Sequence, residues 1–321
     1  MSESEKPTFR EAGSTKLTVG LALRQGTAAL ARAGIEGPDA DMRRLTAGVL
    51  DVPPAKLLSE PERALSKAEA RQLASYIARR ARREPAARIL GRRDFYGRSF
   101  LLSPATLDPR GDTETLVEMA LDMVKEERWD PAKLRILDVG TGTGCLLLTL
   151  LCELPGATGT GTDISPAALL VARTNADRLG VGQRASWLTA DALETVCGAF
   201  HILVSNPPYV RTADIARLDP EVCNFDPAIA LDGGLDGLTL YRRMAREIPR
   251  VVPEGWALLE VGFDQADAVA SVVSEGTAAV GCRVAELRIG RDVAGRRRCV
   301  AVKTRDGTHA QKPLGSCSSP G

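Results

Sequence analysis

Asn206, Pro207, Pro208 and Tyr209 follow one another directly, and together they could hold a planar amino group. The two prolines fix the backbone, so the neighbouring carbonyl groups are rigid and point outward. The Asn206 side-chain oxygen and the Pro207 carbonyl could each accept one hydrogen of an NH₂ group, and Tyr209 could stack on its plane. These contacts would localise the nitrogen lone pair of an amide or aromatic amine, so that the nitrogen can attack a methyl group. The alternative interpretation is a Pro-Pro turn that only ends a strand.

The segment Asp138-Val139-Gly140-Thr141-Gly142-Thr143-Gly144 has the composition of a ligand-binding loop. It follows a predicted buried strand, and open parallel sheets bind ligands at the carboxyl ends of their strands. Glycines let the backbone approach a ligand closely, and the next helix offers free N–H groups at its start. A dinucleotide-binding loop would read GxGxxG, but Cys145 follows Gly144, so the loop lacks the usual phosphate cradle. A dehydrogenase is therefore disfavoured.

Two acids come at the ends of the next predicted strands. Asp163 ends the second strand, where a carboxylate can accept hydrogen bonds from both hydroxyls of a ribose. Asp191 follows the third strand and is predicted to lie near an adenine ring. The alternatives are that Asp163 caps a helix and that Asp191 only begins one. A ligand with ribose and adenine but no pyrophosphate favours S-adenosylmethionine over NAD.

Alternating strand and helix patterns from about residue 113 onward predict an α/β domain that positions these residues. The Arg135–Val139 segment is the first buried parallel strand, and the Asn206 segment ends the fourth. The strand before Asp163 is the weakest prediction, because Gly159 and Gly161 interrupt its threonines. A final antiparallel pair is predicted at residues 282–289 and 298–302.

The first part of the chain reads as helices, at residues 18–33, 39–49 and 66–83, with Ser66 as an N-cap. A basic cluster lies at the end of this part and just beyond it. It consists of Arg79, Arg80, Arg82, Arg83, Arg88, Arg92, Arg93 and Arg98. The cluster is either a solvated helix face or a docking surface for an anionic partner.

Composition excludes several classes of protein. Lys+Arg 42 against Asp+Glu 41 gives a net charge of +1, so we expect no stable nucleic-acid complex and no binding to anionic lipid. No apolar stretch is long enough to span a membrane, and Met1–Arg10 lacks the apolar core of a secretory signal, which predicts a cytoplasmic protein. Seven scattered cysteines without a CxxC pair and two histidines predict neither a disulfide framework nor a metal site. The absence of a heptad or apolar stripe predicts a monomer.

Several longer segments resemble the protein (release factor)-glutamine methyltransferases, the HemK/PrmC family. The resemblance covers about residues 39 to 303. It includes DVGTGTG (138–144), NPPY (206–209), REPAARILGRRDFYGRSFLLSPATLDPR (83–110), DTETLVE (112–118), FDPAIALDGGLDGLTLYRR (225–243) and LLEVGFDQ (258–265).

The resemblance implies a seven-stranded, mostly parallel, Rossmann-like class I methyltransferase domain with a small all-helical N-terminal domain. It implies methyl transfer from S-adenosylmethionine, leaving S-adenosylhomocysteine, to the side-chain amide nitrogen of the glutamine in the Gly-Gly-Gln loop of class 1 peptide-chain release factors. By the same resemblance, Gly140 to Gly144 and Asp163 bind the cofactor, and Asp191, Ala192 and Asn206 are further candidate residues on the cofactor side. Asn206 to Tyr209 bind and orient the glutamine, with Asn206 near both ligands and Arg110 on the substrate side.

The sequence departs from the family pattern at two places. The family usually reads IPRP(D/E)TE, whereas Asp108 here replaces an apolar residue and Gly111 replaces a proline. The position after Asp191 is often aromatic in the family and is Ala192 here, so stacking on adenine from that position is missing.

The predicted organisation has four parts. Residues 1–88 form a helical substrate-docking domain, 89–110 a hairpin linker, 111–304 the methyltransferase domain, and 305–321 a disordered tail. The alternative function is an amino-methyltransferase that acts on a base in ribosomal RNA or DNA. A DNA enzyme would need a target-recognition region and a basic surface, and the chain after Tyr209 is short. A non-catalytic cofactor-binding scaffold would not need the intact NPPY segment.

Overall fold

The computed structural model describes residues 16–305. The predictions for Met1–Arg10 and for the tail beyond residue 305 concern parts of the chain outside these residues. The described chain divides into two compact units. One contains residues 16–92 together with residues 219–225, and the other contains residues 93–218 and 226–305.

The smaller unit is helical. Its helices are α1 (Val19–Arg32), α2 (Pro38–Leu50), α3 (Pro54–Ser59), α4 (Lys67–Ala81) and α5 (Ala86–Leu90), and residues 219–225 add the short helix Pro220–Cys223. The Ser66 hydroxyl accepts from the Glu69 backbone while the Glu69 carboxylate accepts from Ser66, a reciprocal cap that begins α4. The three predicted helices are confirmed, and α3 and α5 were not predicted.

Much of the basic cluster is engaged in ion pairs. In the helical unit, Arg80 is buried, its Nε lies 2.6 Å from Asp41 Oδ2, and its Nη1 lies 3.1 Å from Glu221 Oε1. Arg83 Nε also reaches Glu221, at 3.3 Å. In the larger unit, Arg98 Nη2 lies 2.6 Å from Glu153 Oε1. Neither sequence interpretation anticipated this, because the acids that pair with Arg80 and Arg98 are distant in sequence.

The larger unit alternates strands and helices. Its strands are β1 (Arg92–Phe95), β2 (Arg98–Leu101), β3 (Arg135–Val139), β4 (Thr158–Asp163), β5 (Ala185–Thr189), β6 (Ile202–Ser205), β7 (Trp256–Glu260), β8 (Arg283–Arg291) and β9 (Arg297–Arg305). Its longer helices are α6 (Glu114–Glu126), α7 (Cys145–Glu153), α8 (Pro166–Arg178), α9 (Thr239–Val251) and α10 (Ala266–Ala279). The hairpin of β1 and β2 occupies only part of the predicted linker 89–110, since α5 extends to Leu90 and β2 ends at Leu101.

Seven strands form one sheet in the order β5-β4-β3-β6-β7-β9-β8. The first five are parallel, and β9 runs antiparallel to both β7 and β8. Apolar layers cover both faces, one built around Leu147 and Ile136 and the other around Leu137 and Ile248. The predicted fold class is confirmed: a Rossmann-like, mostly parallel sheet with a helical N-terminal region.

The strand β4 forms despite its two glycines. It is paired on both sides, with β3 and with β5, so its backbone hydrogen bonds compensate for the missing side chains. The chain order reverses at β3, whose neighbours are β4 and β6. A crevice therefore opens at the carboxyl end of β3, where such sheets bind ligands.

Candidate active site

A cavity of about 330 Å³ lies at the carboxyl ends of β3, β4, β5 and β6. Its lining includes Leu107, Thr113, Asp138, Gly140, Thr141, Gly142, Thr143, Asp163, Ile164, Ala190, Asp191, Ala192, Asn206, Pro208, Leu240 and Arg243. The volume is in the range of small-molecule sites, and mostly apolar walls with a few polar groups are typical of them.

The loop after β3 owes its shape to backbone conformations that favour glycine. Gly140 has φ +71° and Gly142 has φ +54°, both in the left-handed region. The Gly142 N–H donates to Asp163 Oδ2 at 2.9 Å, and the Thr141 N–H donates to the Thr162 carbonyl at 2.8 Å. These bonds attach the loop to the end of β4.

Asp163 joins the glycine loop to the start of α8 through its carboxylate. Its two oxygens accept from the backbone N–H groups of Gly142 and Ser165, each at 2.9 Å. A carboxylate has about four lone-pair sites, so acceptor sites remain for two hydroxyls in the cavity. Burial raises the pKa of Asp163, and the two backbone hydrogen bonds oppose this shift.

Asp138 is a structural acid that the sequence analysis left without a role. Its side chain is fully buried, and burial raises its pKa to about 7 against the hydrogen bonds from Thr141 and Leu147. Oδ2 accepts from the Thr141 hydroxyl at 2.7 Å and from the Leu147 N–H at 3.3 Å. Asp138 therefore fixes the loop to the start of α7.

Asp191 and Ala192 line the cavity, but Asp191 is already engaged. Arg243 Nη2 lies 2.9 Å from Asp191 Oδ2 and 2.8 Å from Glu194 Oε1. Arg243 lines the same cavity and comes from α9. The DGLTLYRR segment quoted above contains Arg243, so a signal was present, but its pairing partner was not predictable.

Asn206 comes directly after β6, which is paired with β3. The Ser205 hydroxyl donates to the Val139 carbonyl at 2.7 Å, so the ends of the two strands are joined next to the glycine loop. Asn206 Nδ2 donates to Thr113 Oγ1 at 3.2 Å. This bond engages the amide nitrogen, and the acceptor of the same side chain is its oxygen.

Tyr209 has a different environment from the one predicted. Its ring packs against the apolar layer, and its hydroxyl lies 3.4 Å from Glu260 Oε1. Burial, with a further contribution from the nearby Glu260, raises the pKa of Tyr209. Its backbone carbonyl accepts from Gln265 Nε2 at 3.0 Å. Tyr209 is thus fixed at both its backbone and its hydroxyl.

The DGG segment packs directly on the NPPY segment. The Val210 N–H donates to the Leu231 carbonyl at 3.0 Å, and the Gly233 N–H donates to the Val210 carbonyl at 2.8 Å. Gly237 has φ +77°, and a Cβ there would overlap the Tyr209 carbonyl oxygen. This close approach gives a physical reason for the glycines in a motif to which the sequence analysis assigned no function.

Arg110 binds a buried acid. Its Nη2 lies 2.6 Å from Asp226 Oδ2, and the Asp226 side chain is 1% exposed. The departure Asp108 is also buried, and its N–H lies 3.4 Å from Asp226 Oδ1. The departure Gly111 begins the short 3₁₀ turn Gly111–Thr113, which brings Thr113 to Asn206.

Most of the predicted site residues line the cavity. Those at its lining are Gly140, Thr141, Gly142, Thr143, Asp163, Asp191, Ala192, Asn206 and Pro208. Four predicted residues are not part of the lining: Gly144, Pro207, Tyr209 and Arg110. At Gly144, φ is +81° and a Cβ would press on the Leu148 side chain, so packing against α7 requires glycine there. No group of three or more metal-binding side chains occurs among residues 16–305, and no helix in that range is long and apolar enough to cross a membrane.

The strand order, the glycine loop with Asp163, and the Asn206 segment beside it define a class I methyltransferase. Residues 22–91 match the family described as the PrmC N-terminal domain, and residues 113–218 match the methyltransferase small domain. The fold is similar to that of the hMettl16 catalytic domain solved with an RNA hairpin, with TM-score 0.51, 14% identity, and coverage of 76% of this chain and 83% of that one.

Relatives that match over most of their own length identify the family more specifically than the similarity of fold does. A release factor glutamine methyltransferase of Rhodospirillum rubrum is 43% identical over 296 residues, which are 92% of this chain and 88% of that protein. One from Cereibacter sphaeroides is 41% identical over 283 residues, 88% of this chain and 97% of that protein. One from Agrobacterium fabrum is 44% identical over 254 residues, with coverage of 79% and 88%. The chain belongs to the release factor glutamine methyltransferase family, and a methyltransferase of this family uses S-adenosylmethionine.

Proposed function

We propose that this chain transfers a methyl group from S-adenosylmethionine to the side-chain amide nitrogen of the glutamine in the Gly-Gly-Gln motif of class 1 peptide-chain release factors. Family membership supports the substrate. The observation that carries the chemistry is the orientation of Asn206, whose amide nitrogen is engaged by Thr113 while the residue lines the same cavity as Asp163.

The cofactor side consists of Gly140 to Gly144, Asp163, Asp191 and Ala192. Asp163 accepts from the ribose hydroxyls, and the glycine loop admits the ligand at close range. The apolar side chains around Ile164 and Leu240 suit an adenine ring. When bound, S-adenosylmethionine supplies a methyl group that its sulfonium has already activated, and no metal is needed. The pair Asp191–Arg243 forms the rim of this side.

On the substrate side, Asn206 and Pro207 orient the glutamine amide. The Asn206 side-chain oxygen and the Pro207 carbonyl each accept one N–H hydrogen, and Pro208 borders the amide plane. Tyr209, held at its hydroxyl and at its backbone carbonyl, keeps the segment in place. Each such bond contributes about 1 kcal/mol to stability, but a buried polar pair can reject a substrate that lacks the group by about 10⁴-fold. Positioning at near-attack distance provides much of the remaining acceleration. No strong base is required before attack, and the proton leaves afterwards.

The other parts of the chain have supporting roles in this proposal. The helical region 1–88 is the docking domain for the release factor, and the hairpin with the segment up to Arg110 borders the substrate. Arg110 acts by fixing Asp226, the first residue after the 219–225 segment. The monomeric state and the cytoplasmic location remain predictions.

A methyl-transfer assay with labelled S-adenosylmethionine tests the proposal. The substrates are a purified release factor, the same factor with its Gly-Gly-Gln glutamine changed to alanine, duplex DNA and ribosomal RNA. We expect label on the intact release factor alone, and loss of that label with the Asn206→Ala enzyme. Label on DNA or RNA would support the alternative base methyltransferase. Cofactor binding without any transfer would support a scaffold.

A further inference from the structure

The side chain of Arg298 joins the β8–β9 turn to the segment that precedes α6. Its Nε lies 3.1 Å from Asp292 Oδ2, and its Nη2 lies 2.8 Å from Asp112 Oδ2. The Arg298 side chain is 12% exposed, and its backbone carbonyl accepts from the Val261 N–H at 2.9 Å, just beyond the end of β7. Arg298 is not part of the cavity lining, so any effect on the reaction has to pass through other residues.

The β8–β9 turn gives Arg298 a fixed support. Asp292 Oδ1 accepts from the backbone N–H groups of Ala294 and Arg296, at 2.9 and 2.8 Å. The Asp292 N–H donates to the Arg296 carbonyl at 2.9 Å. The same carboxylate therefore closes the turn and holds the Nε of Arg298. Because a guanidinium group is planar and rigid, this contact also fixes the direction of the Nη2 that pairs with Asp112.

Asp112 lies in the short 3₁₀ turn Gly111–Thr113, directly before the residue that binds Asn206. Thr113 is 2% exposed, lines the cavity, and accepts from Asn206 Nδ2 at 3.2 Å. The Arg298–Asp112 ion pair is therefore one residue along the chain from the contact that holds the Asn206 amide.

The turn depends on such an anchor because it begins with a glycine. Gly111 has no side chain, so its backbone has a wide range of accessible conformations. Before the glycine, Arg110 is held by Asp226, and one backbone bond closes the turn, from the Thr113 N–H to the Arg110 carbonyl at 3.2 Å. After the glycine, the turn is held by the ion pair of Asp112. Without this second anchor, the conformation of the turn can change and the residue that follows can move.

We propose that Arg298 and Asp112 are positioning residues of the transfer step, whose ion pair holds the Gly111–Thr113 turn so that Thr113 keeps Asn206 in the orientation that binds the glutamine amide. Neither side chain of the pair lines the cavity, so the pair acts through Thr113. Catalytic groups need to be held within about 0.5 Å of their productive geometry, and residues around them provide this support. The inference rests on the proposed function of this site.

The test is a double-mutant cycle on kcat for methylation of a release factor, at saturating S-adenosylmethionine and expressed per cofactor-binding site. Asp112→Ala removes the ion pair, and since the Asp112 side chain is 44% exposed, the variant should fold. We expect kcat to fall by about 10-fold, because a misplacement of about 1 Å can cost about 10²-fold. The Kd for the cofactor should stay within about twofold of wild type, the error with which independent sites add.

Gly111→Pro provides the second arm of the cycle. Proline fixes φ and is suited to the first position of a helical turn. Arg110 has φ −99° and ψ 147°, an extended conformation that a following proline favours, and a Cβ at Gly111 would meet nothing within 4 Å. In the Gly111→Pro background, the loss of kcat caused by Asp112→Ala should be about two- to fivefold smaller, because a compatible proline restricts the chain by that amount.

Asp267→Ala is the matched control. It removes the carboxylate that pairs with Arg297, the residue before Arg298 in β9, and leaves the turn before α6 untouched. Its kcat should stay within about twofold of wild type.

Three results would overturn the inference while leaving the proposed function intact: an Asp112→Ala enzyme that keeps the wild-type kcat, a loss of kcat that Gly111→Pro does not reduce, or an equal loss in Asp267→Ala. A wild-type chain that binds the cofactor but does not methylate the release factor overturns the proposed function, and the inference with it.

Discussion

The two ends of the cavity are built by different means. At the β3–β4 end, the cavity is lined by the loop from Gly140 to Thr143, whose N–H groups are bonded to Asp163 and to β4. At the β6–β7 end, it depends on side chains brought together from distant segments, with Asn206 bound to Thr113 and Tyr209 near Glu260. The first end is built from local structure, whereas the second needs the whole sheet in place.

This difference leads us to expect separable effects of substitution. Changes at the β3–β4 end should act on cofactor affinity, and changes at the β6–β7 end should act on the rate of transfer from the bound cofactor. A substitution that changed cofactor affinity and transfer rate to the same extent would contradict this separation.

The largest effect is expected for Asn206→Ala. The variant loses the oxygen that accepts the substrate N–H, and removal of one such preorganised group typically lowers kcat by about 10²- to 10³-fold. Cofactor affinity should stay within a few-fold of wild type. Initial rates at saturating substrates and cofactor titration by calorimetry measure the two quantities. A loss of affinity as large as the loss of kcat would contradict the separation.

Gly237→Ala should reduce kcat by roughly 10-fold or more, because the added methyl displaces the backbone beside Tyr209 and a misplacement of about 1 Å can cost 10²-fold. Gly295→Ala is the matched control. It has a similar φ, +76°, but lies in the β8–β9 turn with open space around its Cβ position. Both variants bear the cost of a left-handed alanine, about 1–2 kcal/mol. If both lost kcat equally, strain alone would explain the effect.

Asp163→Ala should raise the Kd for S-adenosylmethionine by roughly 10- to 100-fold, since hydrogen bonds to charged groups contribute about 1.5–3 kcal/mol. Single-turnover rates at saturating cofactor should remain close to wild type. Asp191→Ala should have a smaller effect on Kd, because its carboxylate is exposed and paired with Arg243. An equal or larger effect of Asp191→Ala would reverse this ranking of the two acids.

The smallest expected effect is a change in how the free energy of unfolding depends on pH. Because burial raises the pKa of Glu260 from its ordinary value of 4.5 to about 7 in the folded chain, the folded state binds more protons than the unfolded state between these values. The contribution of Glu260 to stability is therefore largest below pH 4.5 and decreases as the pH rises through 7. Glu260→Gln should remove a decrease on the order of 1–3 kcal/mol between pH 5 and 8. Denaturant unfolding at several pH values checks this, and an unchanged pH slope would contradict it.

The sequence was sufficient for features that depend on neighbouring residues. Three such features are formed by residues that are adjacent in sequence: the β3 strand with its glycine loop, the Asn206 segment, and the Ser66 cap of α4. The seven-stranded, mostly parallel sheet followed from the alternating pattern together with the family resemblance, whereas the order of its strands was not predicted.

Features that depend on distant residues were not predictable. Thr113 and Asn206 are 93 positions apart, and only the folded sheet shows that they are bonded. Propensity alone disfavoured β4 because of its glycines, but pairing on both sides overrides it. The prediction for Tyr209 did not anticipate its bond with Glu260, and the basic cluster could not be interpreted without Asp41 and Glu221.

The most direct test of the central claim is tandem mass spectrometry of a release factor incubated with the enzyme and S-adenosylmethionine. A matched substrate carries glutamate in place of the Gly-Gly-Gln glutamine, which preserves the shape of the side chain but removes both amide hydrogens. The account predicts a single methyl group on the side-chain nitrogen of the glutamine and none on the glutamate protein. Methylation at another residue, or equal methylation of both proteins, would contradict it.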